Sequence, residues 1–280
     1  MKLVRFGGKG QEKPGILDAG GNVRDLSGQI ADFDAVALSP AGLAMIGRLD
    51  REKLPQVAAG TRLGAPIPRP GKIVCIGLNY SDHAAETGAK LPTEPLVFSK
   101  ATTSYAGPFD PVEILPGSVK TDYESELGVV IGTRAKHIKE ADALKVIAGY
   151  CVVNDVSERY WQAERGGQFT KGKSADTFCP IGPWLVTPDE VADPGNLAVK
   201  SWVNGEIRQN GTTKNLVFGV FHIIAYLSQF MTLEPGDVIS TGTPAGVGLG
   251  FKPPKFLKAG DVMEIEVEGL GKQRSELVQT

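Results

Sequence analysis

The stretch Asp122-Tyr123-Glu124-Ser125-Glu126-Leu127-Gly128-Val129-Val130-Ile131-Gly132 reads as a strand that opens with charge and closes in apolar core. Alternate side chains of an extended strand point the same way, so Glu124 and Glu126 project from one face while Ser125, Leu127 and Val129 take the other. Carboxylates this close repel each other. A hard divalent ion with oxygen ligands, Mg2+, Mn2+ or Ca2+, would offset the repulsion and lower both pKa values. A solvated end of a half-buried strand carries the same pattern, so the pair alone leaves both readings open.

The rest of the chain narrows the choice. With 280 residues it can bury a sizeable core, as one large domain or as one domain with a small appendage. A net charge of −2 lacks the basic excess of a nucleic-acid binder, so small-molecule chemistry is expected and nucleic acid is not. Met1 to Phe6 has no signal-peptide core, and no apolar run reaches about twenty residues, which predicts a cytoplasmic protein with no membrane partner. Cys75, Cys151 and Cys179 are odd in number and widely spaced, the pattern of buried free thiols. The 35 glycines and 19 prolines suit many short strands joined by tight turns, so β-structure should dominate an α+β fold.

Upstream of the acidic strand, residues 1–68 alternate short strand-like pieces with turns and a helical stretch from about Ala41 to Leu54, and carry no catalytic pattern. Gly64-Ala65-Pro66-Ile67-Pro68-Arg69-Pro70-Gly71 is too rich in proline for a central strand and reads as a linker, dividing a small N-terminal domain (1–68) from a catalytic one (69–280). Lys72 to Leu78 is then a buried strand that delivers Asn79-Tyr80-Ser81-Asp82-His83-Ala84-Ala85-Glu86 at its end. On a short helix His83 and Glu86 share a face three residues apart. A carboxylate beside an imidazole fixes its tautomer and stabilises its charged form, as a general base requires. Gly88, Lys90 and Pro92 after it suit a segment that closes as a lid.

Downstream, Ile147 to Val153 is an apolar strand ending in Asn154-Asp155-Val156-Ser157. Asp155 is either a third carboxylate of the site or a simple helix cap. Ser157 reads as the N-cap of a helix that places Arg159 and Gln162 on one face, a cation and an amide suited to an acid substrate. Lys171 and Lys173 lie in a glycine-punctuated loop. Asn204-Gly205 marks a hairpin, and Leu216 to Leu233 a buried helix with His222 in its core. Thr241-Gly242-Thr243-Pro244-Ala245-Gly246-Val247-Gly248 is a loop whose backbone amides suit a carboxylate; it is neither a Walker A loop nor a dinucleotide fingerprint.

In their order, Gly77-Leu78-Asn79-Tyr80 with His83 and Glu86, Asp122-Tyr123-Glu124 with Glu126-Leu127, Asn154-Asp155-Val156-Ser157, Lys173-Ser174 with Asp176-Thr177-Phe178, and Thr241-Gly242-Thr243-Pro244 with Gly246-Val247-Gly248 resemble the fumarylacetoacetate hydrolase family over about residues 70–280. The resemblance implies a mixed β-sandwich roll, usually a homodimer or higher homo-oligomer. It implies Mg2+ or Mn2+ on carboxylates matching Glu124, Glu126 and Asp155, and a catalytic dyad matching His83 and Glu86. Lys173 matches a further catalytic position, and Arg159, Gln162 and Thr243 match substrate-contacting ones. Ile76-Gly77-Leu78-Asn79 offers no fourth metal carboxylate, which argues for the short, three-carboxylate subgroup and against fumarylacetoacetate itself as substrate.

The activity so implied is metal-dependent hydrolysis of a carbon–carbon bond in a 2,4-diketo acid of acylpyruvate type, giving pyruvate and a second acid. Glu158-Arg159 and Arg165-Gly166-Gly167-Gln168 look most like members acting on 2,4-diketo-3-deoxy sugar acids. The alternatives are an oxaloacetate-type decarboxylase, an isomerase or a ureidoglycolate lyase on the same site, and, from another class, a non-catalytic metal-dependent binding protein.

Overall fold

The computed structural model describes every residue from Met1 to Thr280. Ser125–Ile131 lies near the middle of a ten-stranded mixed sheet, between Ile147–Asn154 and Val238–Ser240, both antiparallel to it. Ile73–Gly77 runs parallel to Val238–Ser240, and Leu96–Lys100 closes that edge. A five-stranded sheet (Glu206–Thr212, Ala198–Val203, Val262–Val267, Gly271–Gln279, Val112–Ile114) packs against the large one. The architecture is β-dominated, with mixed sheets and few helices, as expected from the turn-rich composition. No helix is long and apolar enough to cross a membrane.

Both faces of the acidic strand are covered, so apolar residues fill both parities beyond its charged end. Leu127, Val129 and Ile131 enter a core shared with Val199, Met263, Ile265 and Leu277 of the smaller sheet and Ile223, Ile224 and Leu227 of the helix Val220–Phe230. Val130 enters a second core with Cys75, Cys151, Val153, Leu3, Ile16, Phe33 and Ile46. Each such aliphatic side chain contributes about 1.5–3 kcal/mol by leaving water. Gly128 sits where a Cβ would come within 2.4 Å of Val153 and 2.9 Å of Cys151 Sγ, which allows the two central strands to lie this close. The three cysteines are buried free thiols.

Residues 1–68 add the strands Lys2–Phe6, Lys13–Leu17, Val23–Asp25 and Leu63–Gly64 to the same large sheet, through Leu185–Val186, and supply much of the second core. The proline-rich segment is packed rather than free. Ala65 and Ile67 are buried, and the Tyr105 hydroxyl donates to the Ile67 carbonyl at 2.7 Å.

Three local expectations are corrected. Ser157 is not a helix cap: Ser157–Glu158 pairs with Thr121–Asp122 as a short strand, because the backbone is already taken up by that ladder, and a single π-type turn, Tyr160–Glu164, follows. Lys173 lies on a one-turn helix, Thr170–Lys173, not in an irregular loop. His222 is not a core residue; its side chain is 45% exposed, 3.3 Å from Glu140 and stacked between Phe218 and Tyr226. The Asn204-Gly205 hairpin is present, with φ of 52° and 79°, the left-handed pair that a type I′ turn needs.

Candidate metal centre and active site

The antiparallel pairing of Ser125–Ile131 with Ile147–Asn154 brings the start of one strand beside the end of the other. The Asp155 amide donates to the Glu124 carbonyl at 3.0 Å, and the Glu124 amide to Asn154 Oδ1 at 3.2 Å. Glu124, Glu126 and Asp155 thereby converge, all buried, each offering a ligand oxygen within 4.8 Å of the others.

Three buried cations face them. Arg159 Nη1 lies 2.7 Å from Glu124 Oε1, and Lys173 Nζ bridges Glu124 Oε2 at 2.8 Å and Asp155 Oδ2 at 2.7 Å. Lys100, from the edge strand, reaches Asp155 Oδ1 at 2.5 Å and the Val156 carbonyl at 3.0 Å. Burial opposes ionisation of Glu124, but Lys173 and Arg159 outweigh it and hold that carboxyl well below the usual range. The same carboxylates raise Lys173, against its burial. Glu126 behaves oppositely: burial, then the charges of Asp155 and Glu124, push its carboxyl well above normal. Its Oε2 accepts only the Ser240 hydroxyl and the Gly242 amide, the latter at 2.9 Å. A buried all-carboxylate oxygen set in which Glu126 pairs with no cation suits a hard divalent ion such as Mg2+ or Mn2+.

The helix Ser81–Thr87 follows the strand Ile73–Gly77 and ends at Gly88, whose φ of 70° makes it a left-handed cap. His83 Nδ1 lies 3.4 Å from Glu86 Oε2, and Glu86 Oε1 accepts the Gly246 amide at 2.9 Å. Asn79 anchors the start of this segment, donating to the Thr241 carbonyl at 2.8 Å and the Phe218 carbonyl at 3.0 Å. Four amides in and just after the glycine-rich loop that follows Ser240 serve carboxylates of the protein itself rather than a ligand. Those of Gly242, Gly246, Gly248 and Leu249 are bound to Glu126, Glu86 and Asp122. The Thr243 hydroxyl donates to the Ser125 carbonyl at 2.9 Å and accepts from Gln209 at 2.7 Å.

A cavity of about 290 Å³ collects His83, Glu124, Glu126, Arg159, Gln162, Lys173 and Thr243 on its walls. Glu86 and Asp155 stand directly behind His83 and Glu124 through the contacts above. Arg159 Nε binds Asp122 at 2.9 Å, its Nη1 also donates to Gln162 Oε1 at 3.1 Å, and its buried Nη2 has no partner. Lys100 and Asp122 carry structural weight that sequence reasoning missed. Lys100 ends a strand in which it shares parity with Phe98, and only the distant Asp155 distinguishes it from a surface lysine. Asp122 is fully buried, binding Arg159 and two loop amides.

The description Fumarylacetoacetate (FAA) hydrolase C-terminal matches residues 72–278. A Burkholderia ambifaria protein with a general, provisional hydrolase name is 58% identical over 274 residues, 98% of this chain and 97% of its own. Among solved structures, fumarylacetoacetate hydrolase from psychrophilic Exiguobacterium antarcticum is 39% identical, with a TM-score of 0.88 over 100% of both chains. Maleylpyruvate hydrolase from Sphingobium sp. SYK-6, in complex with manganese(II) ion and pyruvate, is 30% identical, with a TM-score of 0.82 over 100% of this chain and 99% of its own. Other structures of similar fold are described as isomerases.

Proposed function

We propose a function from one premise: the chain belongs to the fumarylacetoacetate hydrolase family. Its reaction is hydrolysis of the C3–C4 bond of a 2,4-diketo acid of acylpyruvate type, yielding pyruvate and a second carboxylic acid. The observation that carries this reading is the placing of the His83–Glu86 pair and the Glu124–Glu126–Asp155 group at one cavity, which also holds Arg159 and Lys173. A base for water, a cation site and an anion-binding side chain are the parts such a cleavage needs.

Glu124, Glu126 and Asp155 would hold Mg2+ or Mn2+, which when bound supplies positive charge where the departing fragment gathers its electron pair. Arg159 offers its unpartnered Nη2 to the substrate carboxylate, beside the Gln162 amide. His83, steadied by Glu86, takes a proton from water as that water adds to the C4 carbonyl. The C3–C4 bond then breaks, its electron pair passes to the three-carbon fragment, and the proton returns to C3. Lys173 faces the negative charge that develops. Thr243 fixes the wall through Ser125 and Gln209.

The test is a panel of 2,4-dioxopentanoate, oxaloacetate and ureidoglycolate with metal-loaded protein, following pyruvate, CO2 and glyoxylate. Pyruvate with acetate from the first is expected. Turnover of oxaloacetate or ureidoglycolate alone would establish decarboxylase or lyase chemistry instead, isomerisation without cleavage would establish an isomerase, and tight binding without turnover a binding protein.

A further inference from the structure

Resting on that reading, we propose that the site selects a 2,4-diketo acid with a short, uncharged, apolar acyl tail, in preference to one ending in a second carboxylate or carrying hydroxyl groups.

Arg159 Nη2 and the neighbouring Gln162 amide nitrogen keep free N–H groups for the head of the substrate, and the side chains of Thr87, Glu164 and Thr243 further along the wall are already committed. Apart from His83, the reacting base, Arg159 and Lys173 are the only basic residues lining the cavity. Lys173 spends two N–H groups on Glu124 and Asp155, and its ammonium lies 5.1 Å from the Phe98 ring. Arg159 is held by Asp122, Glu124 and Gln162, leaving its Nη2, which with the adjacent Gln162 amide matches the single carboxylate at the head of the substrate. The Thr87 hydroxyl donates to the His83 and Ala84 carbonyls at 3.0 and 3.3 Å, Glu164 is paired with Lys120, and the Thr243 hydroxyl is bonded twice.

What remains is apolar: Ile76, Leu78, Phe98, Ala163, Phe169 and Leu249. Phe98 and Phe169 pack edge to face, 5.5 Å between ring centroids, and so form one rigid wall. A carboxylate against that wall loses its hydration and gains no partner, and a hydroxyl loses a hydrogen bond to water. A methyl or methylene gains by leaving water. The sugar-acid specificity expected from Glu158-Arg159 and Arg165-Gly166-Gly167-Gln168 is therefore disfavoured: of these residues only Arg159 lines the cavity.

Two matched pairs of substrates test this. 2,4-Dioxoheptanoate and 2,4-dioxoheptanedioate differ only in a terminal methyl against a carboxylate. 2,4-Dioxohexanoate and 5-hydroxy-2,4-dioxohexanoate differ only in a hydroxyl. The expected kcat/KM favours the apolar member by about 10³-fold in the first pair and about 10- to 100-fold in the second. Leu249→Arg places a cation on the wall from a side chain that is already half exposed, and should raise the relative kcat/KM for the dioate at least tenfold. Equal or better cleavage of the dioate or the hydroxy acid by the unsubstituted protein would overturn the proposal while leaving acylpyruvate hydrolysis intact. Cleavage of none of the four would overturn both.

Discussion

Lys100 and Asp155 form an ion pair from which water is excluded: Nζ lies 2.5 Å from Oδ1, and neither side chain has any exposed surface. The pair fixes one oxygen of a candidate metal ligand and leaves the other, Oδ2, facing Glu124 across Lys173. Removing one partner of a buried pair strands the other charge, at a cost of about 3–5 kcal/mol. Lys100→Met should therefore lower the melting temperature of metal-free protein, and Mn2+ should raise it more in the variant than in the parent, because the ion then neutralises Asp155. Calorimetry with and without Mn2+ checks this. An unchanged melting temperature would remove Lys100 from the account.

His83→Ala should lower kcat by about 10²-fold or more while leaving Mn2+ affinity unchanged, since the His83 ring pairs with Glu86 and with none of the three carboxylates. Steady-state kinetics together with metal titration separates the two effects. Turnover at the parent rate would end the role of His83 as base.

Gly250 has no side chain because Glu86 occupies the space; a Cβ there would lie 2.2 Å from the Glu86 carboxyl carbon. Gly250→Ala should push that carboxylate off the Gly246 amide and away from His83 with little loss of stability, because the displaced group is the end of a flexible side chain. Turnover should fall by up to about 10²-fold from misplacement alone. A variant with parent kinetics would show that Glu86 does not orient His83.

Arg62 bridges Glu12 and Asp110, at 2.9 and 2.6 Å. Burial opposes ionisation of both carboxyls, yet the Arg62 hydrogen bonds hold both below their ordinary values. A carboxyl depressed in the folded state stabilises the fold above its ordinary pKa, and that contribution disappears as pH falls through the folded value. Arg62→Met should therefore melt a few degrees lower than the parent at pH 7, with the gap closing below about pH 4. Melting curves across that range decide it, and a gap independent of pH would contradict the assignment.

The carboxylates and the histidine of this candidate site were legible in the chain because they sit at the ends of apolar strands. Glu124 and Glu126 open one, Asp155 closes its neighbour, and His83 follows a third, so hydrophobic runs bounded by charge marked them. The β-dominated fold was legible from turn residues for the same reason. What escaped were contacts made between distant segments. Nothing local separates Lys100 from an exposed lysine, or shows that the loop amides after Ser240 serve Glu126, Glu86 and Asp122 rather than a ligand. Ser157 was misread because serine before a helical pattern is a common cap, and pairing with Asp122 across the chain overrode that local preference. His222 was placed in the core because its neighbours are apolar, although it lies on the outer face of their helix.

The most direct test of the central claim is product analysis of 2,4-dioxopentanoate by proton NMR, with protein loaded with Mn2+, stripped by chelator, and reloaded. The account predicts pyruvate and acetate in equal amounts from the loaded protein, neither from the stripped protein, and recovery of both on reloading. Intact substrate in all three samples, or cleavage that persists after the metal is removed, would contradict it.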